Sequence, residues 1–158
     1  MSLKEELGLR HDFDSRGHEA LLNVALTGTL LEKEGDRILR PLGLTDAQFN
    51  VLMLLKYQSN GSEMNQTTLG NMLLVNRSNV TGLVDRLEQL GWVRRTPEPS
   101  DRRVKLVSLT ESGREILERA ESEYNTRVHE VMSALTDDEH GLISSLLERL
   151  RKRLKETL

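Results

Sequence analysis

The chain has no cysteine in its 158 residues. That excludes disulfides, thiolate metal sites and thiol redox sensing by its own side chains. Its first stretch, MSLKEELGLRHDFD, has no apolar run of signal-peptide length, and nowhere do about 18 apolar residues run together. A cytoplasmic protein without a membrane span is therefore expected. No glycine-rich phosphate loop, nucleophile motif or distinguished carboxylate pair occurs, so no enzyme is expected and no catalytic residue is assigned. The four histidines, His11, His18, His129 and His140, offer no i,i+4 pair and no tight cluster. Neither a metal nor any other cofactor is expected from this spacing, although a site assembled across a dimer would escape the test. Repeats and low-complexity runs are missing too. Proline is scarce: there are three, and two of them, Pro97 and Pro99, fall in one short segment.

What is present suffices for one ordinary domain, since 37% of the residues are hydrophobic and the length allows a single core. The net charge of −3 hides an asymmetry. Residues 76 to 105 hold seven Lys/Arg against four acids, a local excess of +3, while the other 128 residues hold fifteen basic and twenty-one acidic groups, or −6. Positive charge is thus concentrated, as a groove-binding surface requires.

Hydrophobic spacing predicts a mainly α chain with a small β-hairpin. Residues 15 to 40 make a long helix with Leu21, Leu22, Ala25, Leu26, Leu30 and Leu31 largely on one side, stopped by Pro41 and Gly43. Thr45 with Gln48 forms a capping box for the next helix, which buries Phe49, Val51, Leu52 and Leu55. A short helix from about Asn65 to Leu74 and a second carrying Val80, Leu83, Val84, Leu87 and Leu90 follow, a helix-turn-helix pattern in which Gly70 lets the pair approach. After Gly91 the period becomes roughly two, giving two edge-exposed strands, Trp92 to Thr96 and Val104 to Leu109. The segment between them, TPEPSDRR, cannot be helical. It is a wing. Thr110 caps a further helix, and a box of Thr136 and Glu139 opens the last, which carries Leu142, Ile143, Leu146, Leu147, Leu150 and Leu154.

Removing the buried positions of the 76 to 90 helix leaves Arg77, Ser78, Asn79, Thr81, Gly82, Asp85, Arg86, Glu88 and Gln89 outward. Short polar groups near a helix N-terminus suit base edges and phosphates. The bland alternative is a solvated helix face, and a charged hairpin loop alone is equally common. Their conjunction favours DNA: one basic surface fits a major groove, while Arg102 and Arg103 at the hairpin tip fit the neighbouring minor groove. Gly82, inside the helix, admits either close backbone approach or simple tolerance. A winged lobe of roughly 65 residues cannot cover the apolar stripes of three long flanking helices, so a partner subunit is expected to do so, a single-chain bundle being the alternative.

The stretch VNRSNVTGLVDRLEQLGWVRRTPEPSDRRVKLVSLTESG, residues 75 to 113, closely resembles the winged-helix core of the MarR family of bacterial transcription regulators. The helix-to-strand passage LVDRLEQLGWVRR, the DRR of the wing and LTESG carry the resemblance, and LTDAQFNVLMLL, 44 to 55, matches the family's preceding helix. It implies one MarR-like domain over 1–158, with a DNA-binding lobe over 44–109 and a helical dimerisation region over 12–40 and 110–158. It also implies a ligand-responsive repressor that binds a palindromic DNA operator as a homodimer. Carried over by residue, Ser78, Asn79 and Thr81 enter the major groove and Arg77 and Arg86 lie near phosphates. Arg103 reaches the minor groove, braced by a bidentate pair with Asp85, with Arg102 as the alternative tip. Gly82 stands where family members often carry a basic side chain, which puts one contact per subunit in doubt. The implied effector is a small aromatic or anionic compound in a crevice between dimer helices and lobe, with no contacting residue indicated. The competing reading is a winged-helix protein-interaction module without specific DNA binding.

Overall fold

The computed structural model describes residues 2–58, 63–73, 80–101 and 103–157. Two compact units divide it, one running to Ala120 and the other from Glu121 onward.

The first unit begins with a single-turn helix α1 (Leu3–Glu6), boxed by Ser2 and Glu5. Ser15 then caps α2 (Arg16–Leu39) by accepting from the His18 N–H. Pro41 enters a 3-10 turn, Arg40–Leu42, and Gly43 ends it in the left-handed region at φ 75°, where a side chain would be strained. The expected capping box follows. Thr45 accepts from Gln48 N–H, and the Gln48 carboxamide oxygen accepts from Thr45 N–H at 2.9 Å, opening α3 (Asp46–Tyr57). Phe49, Val51, Leu52 and Leu55 of α3 are buried as their spacing predicts, each such side chain being worth about 2 kcal/mol of transfer free energy.

A three-residue strand, β1 (Glu63–Asn65), was not expected from the sequence. Its last residue, Asn65, also caps α4 (Gln66–Met72) through a 2.7 Å bond from Thr68 N–H. Helix α5 is described over Val80–Gln89. A β-carbon on Gly70 would stand 3.2 Å from Val80 Cγ2, so α4 and α5 meet at the closeness that glycine allows. Val80, Val84 and Leu87 are buried, Leu83 only partly, and Leu90 is exposed. The α5 end turns on Gly91 at φ 74°, with Trp92 N–H to Leu87 C=O and Gly91 N–H to Glu88 C=O. This doubly bonded exit satisfies two otherwise orphaned carbonyls.

β2 (Val93–Pro97) and β3 (Lys105–Leu109) form the expected hairpin, paired from Val93 opposite Leu109 to Pro97 opposite Lys105. β3 corrects one expectation. It is central, not edge-exposed, because β1 pairs antiparallel on its other side, giving the order β1-β3-β2. Val107, Ser108 and Leu109 are accordingly buried. β2 is the edge, which is where a proline lacking its N–H is tolerated.

Helix α6 (Glu111–Met132) starts from a knot of hydrogen bonds. Thr110 N–H donates to Trp92 C=O, and the hydroxyls of Thr110 and Ser112 both donate to Gly91 C=O, at 2.6 and 2.9 Å. Gly113 lies so close to this corner that an added β-carbon would fall 1.9 Å from the Trp92 carbonyl oxygen. Leu117 and Ala120 of α6 are fully buried, so the opening turns of α6 belong to the first unit's core.

In the second unit the remainder of α6 leads to α7 (Asp137–Thr157), with no residue of α7 buried. Thr136 and Glu139 make the expected box. His140 bonds through Nε2 to the Met132 carbonyl at 2.8 Å.

Candidate nucleic-acid interface

Arg77, Ser78, Asn79 and Arg102 lie outside the described residues. The rest of the expected surface is described. Thr81, Gly82, Asp85 and Arg86 are exposed on α5, and Arg103 is exposed in the seven-residue loop that follows β2. Their solvent exposure follows from α5 turning Val80, Val84 and Leu87 into the core, which puts the intervening positions outward.

The loop is held by its own side chains. Glu98 N–H donates to Val104 C=O, continuing the ladder, and Val104 N–H donates to Asp101 C=O. The Asp101 carboxylate accepts from Arg103 N–H at 3.0 Å, two residues on. Such a side-chain turn uses only the backbone N–H of Arg103 and leaves its side chain out of the turn. That is the physical content of Asp101 in the DRR sequence.

Asp85 does not brace Arg103. Its partner is Arg95, with Nη2 2.6 Å from Asp85 Oδ1 and Nη1 2.7 Å from Glu88 Oε2. Arg95 also gives its backbone N–H to Glu88 Oε1 at 3.0 Å. The correction has a geometric cause. Arg95 lies on β2 two residues from the buried Val93, so alternation points it to the same face, toward α5. Arg103 lies beyond the strand ends, in the loop. With its side chain only 18% exposed, burial alone would lower the Arg95 pKa, but bonds to Glu88 and Asp85 outweigh this and raise it. Arg95 is therefore a fixed positive charge.

The electrostatic result concerns all four acids counted in this segment. Asp85 and Glu88 are taken by Arg95, Glu98 accepts from Ser100 Oγ, and Asp101 accepts from Arg103 N–H. Arg94 leans across the hairpin, its Nε donating to Ser108 Oγ at 3.2 Å. The side chains of Arg86, Arg103 and Lys105 make no ion pair or hydrogen bond among the described residues. The acids are thus each held by a protein donor, while three exposed cations are left to solvent among the described residues.

Thr81 is also positioned. Gln66 Nε2, at the start of α4, donates to Thr81 Oγ1 at 2.8 Å, which leaves the hydroxyl proton to donate elsewhere. Gln66, Glu88 and Arg95 were not singled out from the sequence. Asp85 and Glu88 stand one helical turn apart on α5, but choosing among four neighbouring arginines requires the strand register.

No described group of three or more His, Asp or Glu could hold a metal ion. Among the described residues no helix is long and apolar enough to cross a membrane.

Comparison with known proteins places this geometry. A family model described as MarR family matches residues 44–105. The HTH-type transcriptional regulator PecS of Dickeya dadantii is 27% identical over 145 residues, 92% of this chain and 87% of its own. The transcriptional repressor MprA of Escherichia coli K12 is 31% identical over 135 residues, 85% of this chain and 76% of its own. Among solved structures, the MarR family regulator Sco3205 of Streptomyces coelicolor, crystallised in complex with DNA, is 28% identical with a TM-score of 0.79, covering 90% of this chain and 94% of its own.

Proposed function

Because the chain belongs to the MarR family and is a DNA-binding transcription regulator, we propose that it works as a ligand-responsive repressor, a homodimer seated on a palindromic operator. Residues 44–109 are the DNA-binding lobe, and 12–40 with 110–158 the dimerisation region. In each subunit the outward face of α5 reads the major groove, with Thr81 at a base edge and Arg86 at a phosphate. Arg77, Ser78 and Asn79 extend the same surface on the family pattern, with Gly82 allowing close backbone approach. Arg103, or Arg102 beside it, enters the adjoining minor groove.

The observation that carries this reading is the segregation of charge. Every acid counted in the segment is engaged by a protein donor, while the side chains of Arg86, Arg103 and Lys105 have no protein acceptor among the described residues. Dimerisation is supported by apolar residues left in solvent on two separate helices. Leu21, Leu30 and Leu31 of α2 and Leu142, Ile143, Leu146, Leu150 and Leu154 of α7 are all exposed, and stripes of this length call for a covering partner. The effector is a small aromatic or anionic compound that favours a half-site separation different from one helical turn, about 34 Å. The site of action is the cytoplasm.

The test is binding to DNA upstream of the protein's own gene at several salt concentrations. A specific complex is expected, with log K falling linearly in log salt. Arg103→Ala should weaken it by about 1–3 kcal/mol without unfolding the protein. Absence of any specific complex overturns the regulator reading and leaves the interaction-module alternative. Unchanged affinity in Arg103→Ala removes that residue from the minor groove.

A further inference from the structure

We propose that Arg95, Asp85 and Glu88 form a positioning clamp that sets the wing at a fixed place relative to α5, so that two carboxylates beside the DNA strengthen DNA binding. This rests on the DNA-binding reading of α5 and the wing.

Three features of the geometry lead there. The clamp joins two elements that reach different grooves: Asp85 and Glu88 stand on α5, and Arg95 on β2, the strand that leads into the loop of Arg103. It is over-determined in direction. Glu88 takes both the Arg95 side chain and its backbone N–H, at 2.7 and 3.0 Å, so the strand itself, and not merely a flexible side chain, is tied to the helix. A second carboxylate one turn earlier, Asp85, holds the other guanidinium nitrogen at 2.6 Å. A planar fork bridging two carboxylates restricts rotation in a way one point charge cannot.

Tethering matters because beyond the last β1 pair, Asn65 opposite Leu106, the hairpin has only its own two strands, ending at Pro97 opposite Lys105. Two contacts made by one rigid body cost less ordering entropy than two made by independently moving parts. Arg95 does not itself need to touch DNA for this. It acts through Arg103.

The consequence opposes simple electrostatics. Neutralising a carboxylate near a phosphate backbone normally strengthens association by removing repulsion. If Glu88 belongs to a clamp, Glu88→Gln must weaken binding instead, since a carboxamide keeps the shape and one acceptor but loses the ion pair. Glu98, an acid of the same hairpin outside the clamp whose carboxylate accepts from Ser100 Oγ, serves as the comparison.

The full-length protein and its Glu88→Gln, Arg95→Lys and Glu98→Gln variants would be titrated with operator DNA across a salt series, with thermal unfolding followed in parallel. We expect Glu88→Gln and Arg95→Lys to weaken binding about five- to tenfold at each salt concentration, with an unchanged salt slope because no phosphate-contacting cation is lost. Glu98→Gln should bind as well as the parent or better. Footprinting should show minor-groove protection at the operator flanks lost in Glu88→Gln while central major-groove protection remains, a pattern that general loosening of the fold does not give. Equal or tighter binding by Glu88→Gln overturns the clamp but leaves DNA recognition intact. Parent-like binding by Arg95→Lys would show that a single ammonium serves as well as the fork and would also overturn it. Failure of the parent to form a specific complex overturns both readings together.

Discussion

Gly113 shows how far a single residue's demand can differ from its usual explanation. Its backbone is not among the positive-φ glycines Gly8, Gly43 and Gly91, so conformational freedom is not the reason for it. Space is. Any β-carbon would overlap the Trp92 carbonyl oxygen, a backbone atom that cannot rotate away. Gly113→Ala should therefore separate α6 from the corner after α5 and lower stability by roughly 3 kcal/mol or more, measured by denaturant unfolding at fixed protein concentration. A stability within about 0.5 kcal/mol of the parent would show that the corner yields. The sequence marks Gly113 as part of LTESG, but the cause becomes visible only when Trp92 is placed against it. The same holds for Asp85. That it is paired was implied by the family resemblance, whereas its partner depends on which β2 side chains face α5.

At the level of elements, whatever rests on local signals was readable. The boxes at Thr45 and Thr136, the Pro41-Gly43 stop and the Gly91 exit each need only a few consecutive residues, and each is present. β1 was invisible for the opposite reason. Glu63, Met64 and Asn65 are too few to show alternation, and they become a strand only by pairing with Ser108, Val107 and Leu106. The box opening α7 has a pH signature. Backbone and side-chain donation from Thr136 lowers the Glu139 pKa below the ordinary glutamate value, with His140 adding to it. A lowered folded-state pKa contributes stability above the unfolded value and loses it as pH falls through the folded value. The stability gap between the parent and Glu139→Ala should thus be present at neutral pH and close as pH falls below the ordinary glutamate range, about 4.3. A gap that persists unchanged there would mean the carboxylate charge is irrelevant to the cap.

For the molecule as a whole, the lean core and the uncovered stripes are two sides of one fact. Leu39, Leu44, Leu52, Leu55, Leu69, Leu87, Val107 and Leu117 are sealed inside the first unit, whereas Leu142, at 59% exposure, heads a row of apolar residues along α7 that the chain itself does not bury. This was legible because helical periodicity reports an apolar face whether or not its partner is present. If α7 forms the proposed interface, a chain ending at His140 should be monomeric while retaining a folded first unit, as measured by light scattering and circular dichroism. A well-behaved truncated dimer would refute the assignment of α7 to the interface.

The carbonyls of Gly91 and Trp92 together accept from the residues that open α6 and stand at the junction where α5 gives way to β2. They serve as a shared hinge pin. Any tilt of the opening turn of α6 must drag the base of α5 and the root of the wing with it, because all three are anchored to two adjacent oxygens. A push on that helix therefore reorients α5 and the wing as one piece.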